Sequence, residues 1–335
     1  MSLGGAQGRV LKALVHAAAV LLWLMVVPCQ AVTTLTLGHL YTAEHPMAKA
    51  CQRFVDTVKK RSEGRIQFQL YIEGRMGNQT AMLRSLKNGS LDLMVNSHGS
   101  VADMVPEFNA LGLPYLFSDP DLAWRVLEGP IGKQLAQKSE AKGLILLSFW
   151  GIDVRSFSNS VRPITKPADM AGLKIRVPPD PLTVDIVLAL GGKPQEINFS
   201  DLYRALQMGV VEGQDNAYMT FRDSRFYEVQ KYYSLTGHKY SVHAFLMSKL
   251  AWDGLSANDR EILRTAAQEA AQYQRWLARN LEEEIYRDLT ARGVRINKVD
   301  PKPFVAATAP IYDKWYSSLI GDFVRAVVKA AREKP

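Results

Sequence analysis

The sequence is short of cysteine, with two in 335 residues, which excludes a small domain that is held together by disulfides. Hydrophobic residues make up 47% of the chain and charged residues 22%, which excludes a disordered or collagen-like protein. The length allows two domains of about 100–200 residues each. The formal net charge is +8, so the placement of the positive residues decides whether nucleic acid is an expected partner.

Residues 1–31 contain no acidic residue and have the layout of a secretory signal peptide. Arg9 and Lys12 form a positive start, an apolar run broken by one histidine covers 13–27, and a small-x-small pattern suits cleavage after Ala31. The run is shorter than the roughly 20 residues that span a membrane, and an uncleaved anchor is the alternative. Cleavage removes two positive charges, so +8 becomes +6, and it leaves Cys51 as the one remaining cysteine. We therefore expect a periplasmic protein with no nucleic-acid partner.

Strand and helix patterns alternate along the rest of the chain, which is typical of an α/β fold with a largely parallel sheet. Alternating or continuous apolar residues predict strands at Leu35–Leu40, Ile66–Ile72, Leu91–Val95, Leu144–Trp150, Leu173–Val177 and Val210–Val211. Helical spacing predicts helices at Glu44–Lys60, Thr80–Lys87 and Asp201–Met208. No later segment reaches about 18 uninterrupted apolar residues, so we expect the mature chain to be soluble.

Two windows of the sequence match in register. Residues 83–96 read LRSLKNGSLDLMVN and residues 203–216 read YRALQMGVVEGQDN, and each consists of a helix, a glycine, a strand and a final asparagine, Asn96 or Asn216. Helix–glycine–strand units are common in α/β folds, so chance similarity is the alternative. Ligands of open α/β sheets bind beyond the carboxyl ends of the strands. Two matching lobes would therefore present both asparagines to one cleft.

A long helical pattern runs from Ala257 to Arg292, with a capping-box start at Ser256 and Asp259 and a terminator at Gly293. One helix of this length extends about 54 Å at 1.5 Å per residue. That exceeds the size of one small domain, so the helix would cross both lobes. Two helices with a kink near residues 279–282 are the alternative.

The chain lacks the sequence motifs of several common enzyme classes, namely G-x-S-x-G, H-E-x-x-H, G-x-x-x-x-G-K-[ST] and G-x-G-x-x-G. The histidine pairs His39/His45 and His238/His243 lack the helical spacing or cysteine partner that would favour zinc, so no metal or other cofactor is expected. Cys51 lies on an apolar helix face and is expected to be a small buried hydrophobic residue rather than a nucleophile.

Arginine in strand-like contexts is the strongest sign of a binding site. Arg176 alternates with the apolar residues of Leu173–Val177 and comes just before two prolines, and Arg155 follows the strand predicted to end at Trp150. A guanidinium binds a carboxylate through two parallel hydrogen bonds and stays charged. Two arginines at one cleft would suit a small organic anion, whereas a structural salt bridge is the alternative for either arginine alone.

The segments GLKIRVPP (172–179), SDLYRALQMGVVEGQDN (200–216) and DLAWRVLEGPIGKQL (121–135) resemble the solute-binding proteins of tripartite ATP-independent periplasmic (TRAP) transporters, of the dicarboxylate-binding DctP type. The resemblance covers about 33–324. It implies a periplasmic-binding-protein-like α/β fold with two lobes, each a mixed sheet flanked by helices, and a long helix that spans both. Lobe I would comprise 32–152 and about 243–281, and lobe II would comprise 153–242 and about 282–335.

The resemblance implies that seven residues contact the solute, namely Arg176, Arg155, Asn216, Phe199, Asn96, His39 and Asn78. Arg176 would make the main salt bridge to a carboxylate of the solute. Asn96 and His39 stand where relatives differ from one another, and Ala217 replaces a proline that is common in the family. The particular acid therefore stays open among C4-dicarboxylates, uronates or other sugar acids, and 2-oxo or hydroxy acids.

The expected function is capture of a small organic acid anion by closure of the two lobes, without a chemical step. A monomer would deliver the anion to the small and large membrane subunits of an ion-gradient-driven TRAP permease. Two alternatives remain at this point. One is a binding protein for a sensor or for another type of transporter, and the other is an enzyme that acts on a small acid in the same cleft.

Overall fold

The computed structural model describes residues 32–333, so the predicted signal peptide of residues 1–31 lies outside the described residues. In this part of the chain nine strands form one sheet: β1 Thr33–Gly38, β2 Ile66–Tyr71, β3 Leu93–Ser97, β4 Leu144–Asn159, β5 Lys174–Val177, β6 Lys193–Glu196, β7 Gly213–Asn216, β8 Tyr232–Ser248 and β9 Arg295–Lys298. The first helices are α1 Pro46–Arg61, α2 Gln79–Asn88, α3 His98–Val101, α4 Pro120–Glu128, α5 Pro130–Glu140, α6 Pro181–Ala189 and α7 Phe199–Gln207. They are followed by α8 Tyr218–Asp223, α9 Lys249–Asp253, α10 Ala257–Ala291, α11 Pro301–Thr308, α12 Pro310–Tyr316 and α13 Gly321–Arg332, with 3₁₀ turns at Pro106–Gly112, Pro167–Met170 and Phe226–Glu228.

The sheet is mixed rather than largely parallel, which corrects one expectation. Its strand order is β2-β1-β3-β8-β4-β7-β5-β6, with β9 paired to β8. The pairs β1–β3, β5–β6, β5–β7 and β8–β9 are parallel, whereas β3–β8, β8–β4 and β4–β7 are antiparallel. Two long antiparallel strands, β4 and β8, thus join two shorter and largely parallel groups of strands, which gives the two-lobed α/β architecture that the resemblance implied.

The two matching sequence windows fold in the same way. In each window a helix ends at a glycine with positive φ, and a strand follows that pairs with the central strands. Asp92 in the first window accepts a hydrogen bond from the amide of Thr36 at 2.7 Å, and Glu212 in the second accepts one from the amide of Lys174 at 2.8 Å. The matched acids therefore fix the neighbouring parallel strand in each lobe, which is a structural role.

Two strand predictions need correction. The strand predicted at Val210–Val211 is instead β7, Gly213–Asn216, because residues 210–212 form the turn that leads into it. The strand predicted at Leu144–Trp150 continues to Asn159 as β4, past Gly151 and through polar residues that interrupt its apolar pattern.

Helix α10 runs unbroken over 35 residues, so the two-helix alternative is wrong. The Ser256 hydroxyl accepts from the amide of Asp259 at 3.1 Å, as the capping pattern predicted. The first half of α10 packs with α1 and β3 in one hydrophobic core, whereas Ile285 and Leu289 near its end pack with α7 and α8 in another. The helix therefore spans both lobes. No helix within residues 32–333 is long and apolar enough to cross a membrane.

Candidate functional site

One cleft collects four of the seven predicted binding residues, namely Arg155, Arg176, Phe199 and Asn216. The paired strands β4 and β8 form its floor. Segments that follow β1 and β3 line one side, and segments that follow β5 and β7 line the other. The cleft thus lies beyond the carboxyl ends of the parallel strands, where a ligand of an α/β sheet is expected.

Arg176 is a buried cation without an anionic partner. It lies on β5, which pairs with β6 and β7 on either side, and 1% of its surface is exposed. Its Nε donates to the carbonyl oxygen of Ile197 at 2.8 Å, and one terminal nitrogen is buried without a hydrogen-bond partner. No carboxylate of the described residues lies within 4.0 Å of this guanidinium. Burial lowers the pKa of Arg176 to about 9, an effect that nearby Asp215 only partly offsets.

Arg155 is also buried, but its charge is compensated within the protein. Its Nε donates to Asp215 Oδ2 at 2.5 Å, and its terminal nitrogens donate to Asn216 Oδ1 at 3.0 Å and to the Asp215 carbonyl oxygen at 2.6 Å. Burial would raise the pKa of Asp215, but Arg155, His238 and Lys239 together outweigh this effect and hold that pKa well below its ordinary value. The salt bridge is possible because β4 and β7 are paired in the register that sets Ser156 opposite Asn216.

A second buried ion pair crosses the cleft between β8 and α6. Lys239 Nζ, on β8, donates to Asp180 Oδ2 at 2.8 Å and also contacts the Thr183 hydroxyl. Asp180 caps α6 by accepting from the amide of Leu182 at 3.0 Å. Burial alone would raise the pKa of Asp180, but Lys239 and then His98 outweigh it and lower that pKa to about 2.

Asp153 is an acidic residue of the lining that has no cationic partner of its own. It lies on β4 two positions before Arg155, and it is 6% exposed. Burial raises its pKa to about 7, although Arg155 opposes this. His243 Nδ1 lies 3.7 Å from Asp153 Oδ2. Burial lowers the pKa of His243 to about 3 and that of His98 to about 4, so both histidines of the lining are neutral near pH 7.

The three remaining predicted residues, His39, Asn78 and Asn96, do not line the cleft, although a sequence neighbour of each does. Their side chains accept hydrogen bonds from nearby backbone amides at 3.2, 2.9 and 2.9 Å, respectively. Asn78 does so as the cap of α2. The structure therefore assigns these side chains local structural contacts, and their contact with a solute stays a prediction.

Several polar residues of the lining were not predicted from the sequence: Tyr41, His98, Asp153, Asp180, Lys239, Ser241 and His243. Asp153 had a usable signal, because a residue two positions before Arg155 in a strand faces the same side. The residues on β8 had no such signal in the sequence, since no strand was predicted there.

Within residues 32–333 no three His, Cys, Asp or Glu side chains are grouped so as to hold a metal ion. Cys51 is buried, and burial raises the pKa of its thiol.

Comparison with known proteins finds a match to one family profile and several solved structures with a similar fold. The DctP family profile, described as bacterial extracellular solute-binding protein, family 7, matches residues 37–319. An uncharacterized protein of Sinorhizobium fredii is 41% identical over 292 residues, which are 86% of this chain but 53% of that protein, so the chain spans about half of that relative's length.

Two crystal structures are similar over nearly their whole length. A TRAP periplasmic solute-binding protein from Polaromonas sp. JS666, bound to D-erythronate, is 33% identical with a TM-score of 0.87 and covers 90% of this chain and 100% of its own. A TRAP periplasmic solute-binding protein from Chromohalobacter salexigens, with bound D-glucuronate, is 32% identical with a TM-score of 0.86 and covers 88% of this chain and 99% of its own.

Proposed function

The chain belongs to the DctP family of bacterial extracellular solute-binding proteins, the binding proteins of TRAP transporters, and we propose that it captures a small organic acid anion in its cleft and delivers it to a TRAP permease. The observation that carries the proposal is the state of Arg176. A buried guanidinium without a paired anion is costly, because burial penalises the charge and nearby Asp215 compensates it only in part. A carboxylate of the solute would supply the missing partner through two parallel hydrogen bonds.

The two solved relatives give the size of the expected solute. They hold acids of four and six carbons, D-erythronate and D-glucuronate. The overall similarity of fold supports a solute of the same size range in this chain. We propose that capture involves no chemical step, since the family consists of binding proteins, and NMR of the recovered ligand after long incubation checks this.

The family's periplasmic location supports export of the chain. We propose that residues 1–31 are the signal peptide, that the mature protein acts as a monomer, and that its partners are the small and large permease subunits. The division of the chain into lobes at residues 152–153 and 242–243 is likewise a proposal. Its support is that both boundaries fall within the long paired strands β4 and β8, the segments that join the two groups of shorter strands.

The test replaces the free arginine. We expect Arg176→Ala to weaken binding of the acid found by a thermal-shift screen by at least ~100-fold, because an unpaired buried charge costs about 3–5 kcal/mol and each tenfold in affinity is about 1.4 kcal/mol. Calorimetry measures the dissociation constants. Unchanged affinity in Arg176→Ala would contradict the assignment.

Arg155→Ala is the matched control, because it removes the same side chain from the same cleft. It leaves the buried Asp215 carboxylate without its cationic partner, so we expect it to lower the free energy of unfolding of the ligand-free protein by about 3–5 kcal/mol. Arg176→Ala should leave that free energy unchanged or raise it, since it removes an uncompensated charge. Urea unfolding of both variants separates loss of a ligand contact from loss of folding.

A further inference from the structure

The charges that line the cleft leave one free cation and one free acid. The cations of the lining are Arg155, Arg176 and Lys239, since its histidines are neutral near pH 7. Two of the three are occupied, by Asp215 at 2.5 Å and by Asp180 at 2.8 Å. Arg176 alone among them has no carboxylate within 4.0 Å. The lining therefore offers a free positive charge for one carboxylate.

The free acid, Asp153, lies toward the other end of the same cleft. Arg176 is paired through Gln214 of β7 with Ser158 of β4, and Asp153 is five positions before Ser158 on that strand. Two strand spacings and five residues, with a register shift between Arg155 and Phe157, separate the two backbone positions, at most roughly 10 Å across the sheet and 16 Å along it. Long side chains shorten this gap. A solute whose carboxylate meets Arg176 would extend past Arg155 toward Asp153.

A second carboxylate on the solute would meet Asp153 with no cation left to neutralise it. Only 6% of the surface of Asp153 is exposed, so water would screen the repulsion between the two carboxylates poorly. A hydroxyl group at the same place would instead donate a hydrogen bond to the Asp153 carboxyl. Like charges placed against each other are a common way in which a site rejects a competing ligand.

Resting on the proposed function, we infer that the cleft selects hydroxylated acids of four to six carbons that carry a single carboxylate, and that Asp153 is the residue that rejects the matching diacids. Arg176 confers affinity for the first carboxylate. Asp153 selects solutes whose far end carries a hydroxyl group rather than a second carboxylate.

Matched pairs of acids test the inference. D-erythronate and meso-tartrate share one carbon chain and differ in the oxidation of one end, as do D-gluconate and D-glucarate. By calorimetry at pH 8.5, where the Asp153 carboxyl is ionised, we expect at least one monoacid to bind, and its matched diacid to bind at least ~10-fold more weakly. In Asp153→Asn, which keeps the size of the side chain and removes its charge, the gap should shrink to about threefold or less.

Asp56→Asn is the control, because Asp56 is an exposed acid on α1 outside the lining and its change removes the same charge. The gap should be unchanged in this variant. Equal binding of monoacid and diacid by the wild type, or a gap that Asp153→Asn leaves intact, would overturn the inference. If in that case Arg176→Ala still abolishes binding of both acids, the proposed function stands. Failure of all four acids to bind would overturn the inference, whereas the proposed function would be contradicted only if no organic acid of the thermal-shift screen bound.

Discussion

Two arginines of one cleft differ in what their burial means. Arg155 has an anionic partner in Asp215, so its burial stabilises the fold and orients Asn216. Arg176 has none, so the same degree of burial stores an unfavourable charge that a bound carboxylate would relieve. Both are buried arginines on strands that line the cleft, and they differ in whether a carboxylate of the protein pairs with them.

Asp153 makes the stability of the ligand-free protein depend on pH. Its pKa is about 7 in the fold and about 3.9 in an unfolded chain. Between these values the folded protein holds a proton that the unfolded chain has released, so the free energy of unfolding falls as pH rises. The penalty is absent below about pH 4 and complete above about pH 7, where it amounts to at most about 4 kcal/mol.

Asp153→Asn should therefore stabilise the ligand-free protein at pH 8 and have little effect at pH 4.5. The other titrating groups are common to both proteins, so they largely cancel in the difference between wild type and variant. Urea unfolding at a series of pH values measures this difference. A difference that stays constant from pH 4.5 to pH 8 would show that the Asp153 carboxyl is ionised in the fold throughout.

The sequence allowed the prediction of Arg176 and Arg155 as cleft residues, since each is a polar residue that interrupts or follows an apolar strand. It did not allow the distinction between them. Asp215 is next to Asn216 in the chain, but its salt bridge to Arg155 depends on the register of β4 against β7. Pairing between distant strands is set by the whole sheet, so no local pattern contains it.

At the scale of elements, the long helix α10 was easier to predict than the central strands β4 and β8. The α10 pattern holds over 35 residues because its sequence contains no glycine or proline and its caps are local. Strands β4 and β8 carry buried polar residues where they form the floor of the cleft, among them Asp153, Lys239 and His243. Such residues break the apolar alternation by which a strand is recognised. The polar residues that line the cleft are therefore the reason why β4 and β8 could not be predicted in full from the sequence.

Gly151 is the element-scale test, because it lies in the middle of β4 with φ at +48°. An added Cβ would overlap the Cε of Met47 and would lie 3.3 Å from His243 Nδ1. Met47 is fully buried on α1, so its methyl group has little room to move. We expect Gly151→Ala to lower the free energy of unfolding by about 2–4 kcal/mol, through backbone strain and overpacking together.

Gly172→Ala is the matched control for strain alone. Gly172 has φ at +78°, but nothing lies within 4 Å of its added Cβ. Its replacement should cost about 1 kcal/mol. Urea unfolding of the two variants gives the comparison, and equal losses would mean that β4 accommodates a side chain at Gly151 without displacing α1.

At the scale of the molecule, the burial of the cleft implies motion. Arg176 and Lys239 are each 1% exposed and Arg155 is 9% exposed, which is the burial expected of a closed form. Solvent reaches almost none of Arg176 while the lobes stay in this position. We therefore predict that capture requires a more open form of the free protein and that binding shifts the population toward the closed one.

The two edges of the sheet report this motion. Gln69 on β2 and Glu196 on β6 are exposed and lie at opposite edges. The native Cys51 is buried with a raised thiol pKa, so spin labels on Gln69→Cys and Glu196→Cys would react selectively in the mature protein. We expect pulsed EPR to show a distance distribution that shifts and narrows when a binding acid is added. The same double variant with Arg176→Ala should show no shift in the distance distribution at that acid concentration, because the free energy that closes the lobes comes from the carboxylate at Arg176.

A distance distribution that is identical with and without the acid, in a protein that calorimetry shows to bind it, would contradict capture by closure.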